Sequence, residues 1–417
     1  MGQPSPRRPS VIPVLVIGLG LGPDDLSPRL RELVDHAQVL AGGRRLLAYF
    51  PEHPGRRIEL TGGLEPWLDQ VQAAAQSMPV AVLASGDPGF HGVATALIRR
   101  LGREMVRIQP NVTAMQGACA RLGLPWGAAV HVSLHAADAE ALPRLWTALG
   151  QSDLVVVYPG PTLDPTRLAV MLAERGQDSW RVNVLENLGA ADERLCSFAR
   201  ASEAAGVFGP LCVVVLERVG PRPPAPTIGA PETAYQSDGG LITKAEVRAV
   251  ALAKLALGPK LTLWDVGAGS GSVGLEAASL MPGGTVWAVE RDPRRVAMIR
   301  ANRARHGLAM LEAIEGQAPE ALADLPRPDR VFIGGGGPRL EAIIAACAAR
   351  LAPGGLIVVS AVLGGSIEAA RRALARAGLD VDETFVQICR GQAVAGQTML
   401  KALNPVWLLR GRADGEK

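Results

Sequence analysis

Aromatic residues and excess charge are both scarce in this chain of 417 residues. Phe, Trp and Tyr make up 4% of the sequence, and the formal net charge is only +3. A protein with so little net charge has no strong general attraction for a polyanion. We therefore predict no nucleic-acid partner.

The sequence also lacks a long apolar run. A transmembrane helix needs about 20 consecutive apolar residues, whereas the apolar stretch from Val11 to Leu21 is shorter and contains Pro13. No A-x-A cleavage site follows it, as a secretory signal would require. We predict a cytoplasmic protein with no membrane partner and a disordered start before residue 11.

Cysteines are few and widely spaced. None lies in a C-x-x-C pair, and the five are Cys119, Cys196, Cys212, Cys347 and Cys389. Such spacing predicts neither a disulfide framework nor a zinc site. We expect buried thiols in a reducing compartment and no bound metal.

A proline-rich segment, Pro221–Pro226, divides the chain. Proline at this density cannot continue a helix or a central strand, and it stiffens a linker. We predict an N-terminal domain over residues 11–220, a linker over 221–237 and a C-terminal domain over 238–411. The apolar spacing from Ile242 to Leu257 predicts the first C-terminal helix, with Thr243 as N-cap and Glu246 at the third helical position.

A glycine-rich turn follows an apolar strand in the C-terminal half. The strand leads into Gly267, Gly269 and Gly271, and Glu290 ends the next predicted strand. Glycine permits a tight turn close to a ligand, and the helix that follows offers free N–H groups. An acid at the second strand end can accept hydrogen bonds from ribose hydroxyls, so we predict a nucleoside-cofactor site.

Two cofactors fit this turn. The segment Gly269–Gly274 matches the G-x-G-x-x-G of dinucleotide sites, which is a weak signal by itself. The fuller pattern D-x-G-x-G-x-G begins at Asp265 and is typical of S-adenosylmethionine (SAM) sites, where the acid can help to hold the ammonium end of the cofactor. We favour SAM, with an NAD-dependent oxidoreductase as the alternative.

The C-terminal half alternates apolar strands with amphipathic helices. This order predicts a parallel sheet with helices on both faces. The predicted strands are Thr262–Val266, Val286–Val289, Arg330–Ile333 and Leu356–Ser360, and the helices include Pro293–Gly307 and Arg339–Leu351. Two further strand-like segments, Glu383–Cys389 and Thr398–Leu409, predict a closing antiparallel pair.

Small or polar turns follow three predicted strands in the N-terminal half. Val14–Gly18 runs into a glycine turn, Val80–Ala84 runs into Gly86-Asp87-Pro88, and a third strand ends at Gln109. The carboxyl ends of strands in an open α/β sheet lie at one edge. We therefore predict a ligand crevice at that edge.

These turns resemble the tetrapyrrole methylase family. They match its G-x-G-x-G-x-x-D, which ends at Asp25, and its G-D-P-x-x-x-G, which begins at Gly86. The precorrin-6Y branch of that family, which is fused to a class I SAM methyltransferase domain, is similar in five further segments: Gly42–Arg45, Glu186–Arg194, Ile242–Arg248, Asp265–Gly274 and Glu315–Leu322. The resemblance covers residues 11 to about 411.

The resemblance implies both a fold and an activity. The expected fold is α/β: a two-lobed tetrapyrrole methylase fold followed by a doubly wound, Rossmann-like class I methyltransferase fold. The expected reaction is SAM-dependent methylation of a tetrapyrrole at ring carbons 5 and 15, with loss of carbon dioxide from a ring acetate, in cobalamin biosynthesis. Each half should bind one SAM, and we expect a homo-oligomer whose partner is the small-molecule substrate.

The resemblance also implies two sets of cofactor-binding residues. The C-terminal set is Thr243, Asp265, Gly267, Ala268, Gly269, Ser270, Gly271, Glu290 and Ala318. The N-terminal set is Gly86, Asp87, Phe90, Val112 and Thr113. The N-terminal half departs from the family pattern in three places. P-G-[IV]-[ST]-S reads as Pro110–Ala114 here, H-G-R reads as His135-Ala136-Ala137, and Leu21 stands where many relatives have proline.

Four residues are candidates for catalysis or substrate binding. His135 lies near the predicted crevice and could shuttle a proton, and the Arg44 guanidinium suits the substrate's carboxylates. Glu246 and Arg390 are further candidates. The glycines from Gly334 to Gly337 are either a wall without side chains for a flat macrocycle or a flexible turn.

Another class of function stays open. Because its loop departs from the family pattern, the N-terminal half could be a non-catalytic module that holds the substrate. A nucleic-acid methyltransferase is disfavoured, because Phe332–Gly337 lacks a base clamp of the D-P-P-Y type.

Overall fold

The computed structural model describes residues 12–135 and 141–413. The predicted disordered start before residue 11 lies outside the described residues, as do Ala136 and Ala137. Three main sheets form the described part of the chain, two in the N-terminal half and one in the C-terminal half.

The first lobe contains a parallel sheet covered by helices. Its elements are β1 (Val14–Gly18), α1 (Pro28–Asp35), β2 (Val39–Gly42), α2 (Arg44–Leu47), β3 (Arg56–Glu59), α3 (Leu64–Ala75), β4 (Val80–Ala84), α4 (Ala94–Leu101) and β5 (Val106–Gln109). The strand order is β3-β2-β4-β1-β5, with every pair parallel. Because helices cover both faces, β1, β2 and β4 are continuous apolar runs, as parallel sheets require. The predicted bounds of β4 are confirmed, and β1 begins at Val14, where the predicted first strand begins.

The second lobe is a mixed sheet. Its elements are α5 (Ala114–Leu122), β6 (Val130–Ser133), α6 (Ala141–Gln151), β7 (Leu154–Tyr158), α7 (Pro165–Glu174), β8 (Trp180–Glu186), β9 (Arg194–Phe198) and β10 (Cys212–Arg218). The order is β6-β7-β10-β8-β9, and only the β6–β7 pair is parallel. Helix α5 leads out of the first lobe and packs on β10, so the ends of both sheets face one crevice.

Within the described residues, the C-terminal half contains a seven-stranded sheet and a separate two-stranded hairpin. Its elements are α8 (Ala245–Leu255), β11 (Thr262–Val266), α9 (Ser272–Leu280), β12 (Thr285–Glu290), α10 (Pro293–His306), β13 (Leu311–Glu315), β14 (Arg330–Ile333), α11 (Leu340–Arg350), β15 (Leu356–Ala361), α12 (Gly364–Arg376), β16 (Asp380–Val386), β17 (Cys389–Val394), β18 (Gln397–Ala402) and β19 (Val406–Arg412). The order is β13-β12-β11-β14-β15-β19-β16. The doubly wound α/β prediction is confirmed; β13 is a strand that the sequence analysis did not identify.

Two local predictions for this half were wrong. Helix α8 begins at Ala245 with Lys244 as N-cap, rather than after Thr243. The Glu232 carboxylate accepts the Ala245 N–H at 3.1 Å. Because this capping group comes from a residue outside the helix segment, the sequence around Thr243 does not reveal it.

The closing strands also differ from the prediction. β16 and β19 do pair antiparallel at the sheet edge, but Cys389 and Thr398 belong to the separate hairpin β17–β18. Pro405 interrupts the predicted strand Thr398–Leu409, because proline has no N–H for the ladder.

The predicted linker is docked on the C-terminal half. The buried Glu276 carboxylate in α9 accepts hydrogen bonds from Gly229 N at 2.9 Å and from the Tyr235 hydroxyl at 3.1 Å. It also pairs with Arg248 Nε at 2.7 Å, and both side chains of this ion pair are 0% exposed. Arg248 donates in turn to the Ala230 carbonyl. Buried hydrogen bonds of this kind hold the segment in one path.

The second lobe touches the C-terminal half directly. Arg175, which follows α7, pairs with Glu312 of β13 and donates to the Ala309 carbonyl at 2.6 Å. Its guanidinium also lies 4.7 Å from the centroid of the Trp146 ring.

Within the described residues, no helix combines the length and apolar character needed to cross a membrane.

Replacing Glu276 with alanine should destabilise the C-terminal half strongly. The change leaves the Arg248 charge buried without its partner, which costs about 3–5 kcal/mol in comparable cases. Urea unfolding measures the loss. Glu368→Ala is the matched control, because Glu368 is half exposed beside Arg371 and an exposed pair contributes less than about 1 kcal/mol. Equal midpoints for the two variants would contradict the role given to Glu276.

Candidate functional site

A cavity of about 320 Å³ lies at the carboxyl ends of β11, β12 and β14. This is the edge at which open α/β sheets bind ligands. Four segments form its walls: the turn after β11, the end of β12, the loop after β13 and the glycine loop after β14. The lining residues that the argument uses are Gly267, Glu290, Arg291, Arg295, Ala318, Gly334–Gly337 and Arg339.

The glycine turn is shaped for close approach. Gly267, Gly269 and Gly271 have φ values of +71°, +58° and +76°, in the left-handed region that favours glycine. A Cβ on Gly267 would lie 2.9 Å from the Gly335 carbonyl oxygen, so a side chain there would push two walls of the cavity apart. Glycine at position 267 therefore leaves space that a Cβ would fill, and a cofactor can approach the backbone there. We call the turn Gly267–Gly271 the glycine cradle.

Glu290 is held rigidly at the cavity. It is 6% exposed, and its Oε2 accepts the Gly269 N–H at 2.9 Å. Its Oε1 accepts the Arg291 and Asp292 N–H groups at 2.9 and 3.0 Å. The carboxylate thus joins the glycine turn to the second strand end, at the point where ribose binds in such folds.

Asp265 lies behind the turn rather than on the cavity wall. Its Oδ2 accepts the Gly274 N–H at 2.9 Å, whereas the buried Oδ1 has no hydrogen-bond partner. Burial, with a smaller contribution from the Glu290 charge, raises the pKa of Asp265 to about 7. The side chain braces the turn, and contact with the ammonium end of SAM stays a prediction.

The remaining predicted C-terminal residues divide into two groups. Ala318 lines the cavity, as Gly267 and Glu290 do, whereas Ala268, Gly269, Ser270, Gly271 and Thr243 do not. The Ser270 carbonyl accepts from Asn302 Nδ2 at 2.9 Å, and the Thr243 carbonyl accepts from Arg248. The glycine loop Gly334–Gly337 does form a wall. The sequence analysis missed three basic residues at this cavity: Arg291, which directly follows β12, Arg295 in α10, and Arg339 just before α11. Only Arg291 had a local signal, which was its position at a strand end.

A second cavity, of about 560 Å³, lies between the two N-terminal lobes. It contains Gly86, Asp87, Phe90, Thr113 and His135 among its lining residues, as predicted. Val112 is not in its wall and is 40% exposed. The predicted crevice therefore exists, although which of its residues contact SAM stays a prediction.

Asn111 ties the three N-terminal turns together. Its Nδ2 donates to the Gly18 carbonyl at 2.9 Å, and its N–H reaches Asp87 Oδ2 at 3.2 Å. Asp87 Oδ1 accepts the Gly89 N–H at 2.7 Å. Thr113 begins α5 with a reciprocal capping box to Gln116. The loop that departs from the family pattern is therefore well ordered by its own hydrogen bonds.

Sequence reasoning missed the wall that the second lobe provides. Tyr158, at the end of β7, lines the cavity, and its hydroxyl accepts the Met115 N–H at 3.0 Å. Burial raises the pKa of Tyr158 to about 12, so the hydroxyl keeps its proton. Gly189 and Ala190 belong to this wall too. The only signal was that the segment Glu186–Arg194 resembled one branch of the family.

The candidates for catalysis are scattered. His135 lines the N-terminal cavity, but Arg44 is largely exposed and pairs with Glu59 at 2.7 Å outside it. The neighbouring Arg45 lines the cavity instead.

Glu246 and Arg390 form an ion pair away from both cavities. Arg390 bridges Glu246 and Glu232, at 2.6 and 2.8 Å. The hydrogen bonds that its guanidinium donates, and to a smaller extent its positive charge, lower the pKa of Glu246 and lower that of Glu232 to about 2. Among the described residues, no group of three or more His, Cys, Asp or Glu side chains could hold a metal ion.

Comparison with known families identifies the class of protein. A family model described as Tetrapyrrole (Corrin/Porphyrin) Methylases matches residues 13–204. A second model, Precorrin methyltransferase domain, matches residues 233–411. The chain is therefore a tetrapyrrole methylase joined to a precorrin methyltransferase domain.

Similar proteins narrow this class. A Sinorhizobium sp protein named precorrin-6Y C(5,15)-methyltransferase [decarboxylating] is 34% identical over 374 residues, which cover 87% of this chain and 88% of the relative. The chain belongs to the precorrin-6Y C(5,15)-methyltransferase family, whose methyltransferases use SAM.

Two shorter relatives are named for one reaction each. A Pyrobaculum calidifontis protein, a probable cobalt-precorrin-6B C(15)-methyltransferase (decarboxylating), is 42% identical over 46% of this chain and 98% of its own length. A Salmonella typhimurium cobalt-precorrin-7 C(5)-methyltransferase is 34% identical over 43% of this chain and 87% of its own length.

Replacing Gly267 with alanine should weaken SAM binding. The new Cβ meets the Gly335 carbonyl, and we expect an affinity loss of about tenfold or more, which corresponds to about 1.4 kcal/mol. Calorimetric titration of SAM measures it. Gly354→Ala is the matched control, because Gly354 has a similar φ of +68° but open space around its Cα. If both variants bind SAM as the parent does, the cradle is not the cofactor site.

Replacing Asp265 with asparagine should change how stability depends on pH. The folded-state pKa lies above the ordinary value of 3.8, so the native state of the parent is favoured at low pH. It then loses about 1.4 kcal/mol per pH unit as pH rises from about 4 to 7. Asp265→Asn should lack this loss in urea unfolding across that range, whereas the exposed Asp324→Asn should keep it. Parallel curves for the parent and Asp265→Asn would contradict the raised pKa.

Proposed function

We propose that this chain methylates precorrin-6Y, the dihydro form also named precorrin-6B, at corrin carbons 5 and 15 and removes one ring acetate carboxyl, giving precorrin-8. One observation carries the proposal: a single chain holds two separate cavities, each at the carboxyl edge of its own sheet system. Family membership over almost the whole chain supports the same reaction.

We assign one reaction to each half. The N-terminal cavity would methylate carbon 5, and the C-terminal cavity would methylate carbon 15 and remove the carboxyl group. The names of the two shorter relatives support this division, since each carries one of these activities. The domain limits predicted from sequence, 11–220 and 238–411, are proposed as the limits of these two catalytic units.

Each half would bind its own SAM. Glu290 and the glycine cradle would hold the ribose and the methionine end in the C-terminal half, and the turns at Gly86 and Thr113 would do so in the N-terminal half. When bound, SAM supplies a methyl group already activated by its sulfonium. The protein's task is then to align donor and acceptor carbon, which accounts for a large part of such rate enhancements.

The charges around the C-terminal cavity suit the substrate. Precorrins carry several carboxylates, and Arg291, Arg295 and Arg339 line this cavity. Arginine forks bind carboxylates in a fixed geometry. Decarboxylation breaks a C–C bond, leaves the electron pair in the conjugated imines of the macrocycle and then takes up one proton. The arginines would therefore orient the substrate rather than carry electrons.

We also propose a cytoplasmic homo-oligomer. All five cysteines are free thiols, which suits a reducing compartment, although only Cys119 and Cys347 are buried as expected. The hairpin β17–β18 exposes the apolar side chains of Val394, Met399 and Leu400, which suits an interface.

Filling one cavity at a time should separate the two methylations. Ala190→Trp fills the N-terminal cavity, so the product should carry the carbon-15 methyl group, lack one carboxyl and lack the carbon-5 methyl group. Ala318→Trp fills the C-terminal cavity and should abolish carbon-15 methylation and decarboxylation. Mass spectrometry with labelled SAM identifies the products, and mixing the two variants should restore the doubly methylated product.

Neighbouring exposed alanines provide matched controls. Ala191→Trp and Ala323→Trp add the same side chain outside the cavities and should leave both reactions intact. If Ala190→Trp still yields the doubly methylated product, the N-terminal half is the holding module considered above. If the parent binds reduced NAD and not SAM, the oxidoreductase alternative replaces the proposal.

A further inference from the structure

One residue at the N-terminal cavity has a strained backbone. His91 has a φ of +54°, in the left-handed region that residues with a Cβ rarely adopt. It lines the cavity and follows the Gly86-Asp87-Pro88 turn. The Asp87 carboxylate, which bonds to Gly89 N and Asn111 N, holds that turn in place. Strain kept in this way at a cavity points to a functional role for the side chain.

The surrounding rings fix the imidazole in position. The centroid of the His91 ring lies 4.9 Å from that of Phe90, 5.0 Å from that of His131 and 5.6 Å from that of Tyr158. The Phe90 and His131 rings are themselves 4.4 Å apart. These contacts come from the turn after β4, from β6 and from β7, so both lobes hold His91 at their junction.

The charges that face His91 disfavour its protonated form. Its pKa is lowered by burial first, and then by His131 on β6, Arg144 on α6 and His135 after β6. Tyr158 on β7 stays neutral, and Asp87, on the same turn, is engaged by two backbone N–H groups. His91 is therefore a neutral imidazole at neutral pH, with a ring nitrogen able to take up a proton.

We infer that His91 is the catalytic proton acceptor for methyl transfer in the N-terminal half, with Tyr158 and His131 as positioning residues. This inference rests on the proposed function. The Tyr158 hydroxyl accepts the Met115 N–H at 3.0 Å, which fixes the Tyr158 ring. That ring and the His131 ring then hold the imidazole of His91 in place at the cavity.

The reaction needs such an acceptor. The ring carbon forms a bond to the methyl group as the S–CH₃ bond breaks, and that electron pair stays on sulfur. The same carbon then loses its hydrogen as a proton to a nitrogen of His91, and the C–H electron pair restores the conjugation of the macrocycle. The imidazolium releases the proton to water, so charge and atoms balance.

Replacing His91 with glycine tests the inference without disrupting the fold. Glycine adopts positive φ readily, so the thermal midpoint of His91→Gly should equal or exceed that of the parent. The single-turnover rate of carbon-5 methylation should nevertheless fall about a hundredfold, the usual scale of general-base catalysis. The substrate is the tetrapyrrole that Ala190→Trp releases, and ¹³C-methyl SAM reports the new methyl group by NMR.

The pH profile and chemical rescue give readouts that a structural role would not move. In the parent, the methylation rate should be independent of pH above the lowered pKa of His91. Below that pKa the rate should fall as His91 becomes protonated, and this fall is the acid limb of the profile. His91→Gly should lack this limb, and free imidazole should restore activity. His131→Asn removes a neighbouring imidazole and should move the limb to higher pH.

Ala256→Gly is the matched control for backbone strain. Ala256 has a φ of +46° at the end of α8, away from the cavity, and its replacement should keep the parent rate. The inference is overturned if His91→Gly keeps its rate and pH profile, or if the change lies only in KM, which would make His91 a carboxylate-binding residue. Failure of the parent itself to methylate this tetrapyrrole would instead contradict the proposed function.

Discussion

The buried ion pair between Glu276 and Arg248 is the interaction on which the arrangement of the C-terminal half depends. Glu276 lies in α9, the helix that follows the glycine turn, and accepts hydrogen bonds from Gly229 and Tyr235 of the connecting segment. Arg248 bonds to the carbonyls of Thr243 and Ala230. A charged pair without water is tolerated only when its polar atoms are satisfied. The connector, α8 and α9 are therefore held in one arrangement, and α9 positions the glycine turn.

Both cavities follow from the same rule of sheet geometry, but their chemistry differs. Parallel strands bring successive turns to one edge, and each half uses that edge. In the C-terminal cavity, Glu290 provides an anionic group within a basic rim that includes Arg295 and Arg339. In the N-terminal cavity, a second lobe closes over the turns and contributes Tyr158. The first arrangement suits a nucleoside beside a polycarboxylate, and the second suits proton transfer.

Much of the fold could be predicted because the signals are local. The strand Val80–Ala84 is a continuous apolar run and the strand Thr262–Val266 is mostly apolar. Both lead into glycine turns, and both have the predicted bounds. β13 escaped notice because it has only five residues, Leu311–Glu315, in which apolar residues are mixed with two glutamates in no regular alternation. The start of α8 was misplaced because its capping oxygen belongs to Glu232, outside the local pattern.

By itself, the sequence determined the class of fold, the family resemblance and the turns that lie at each ligand-binding edge. Glycine patterns and apolar runs act over a few residues, so they can be recognised without coordinates. Only the tertiary structure decided which side chains share a cavity: Arg45 rather than Arg44, and His91 beside Tyr158 and His131. These neighbours are far apart in the chain, and only the packing of one lobe against the other brings their side chains together.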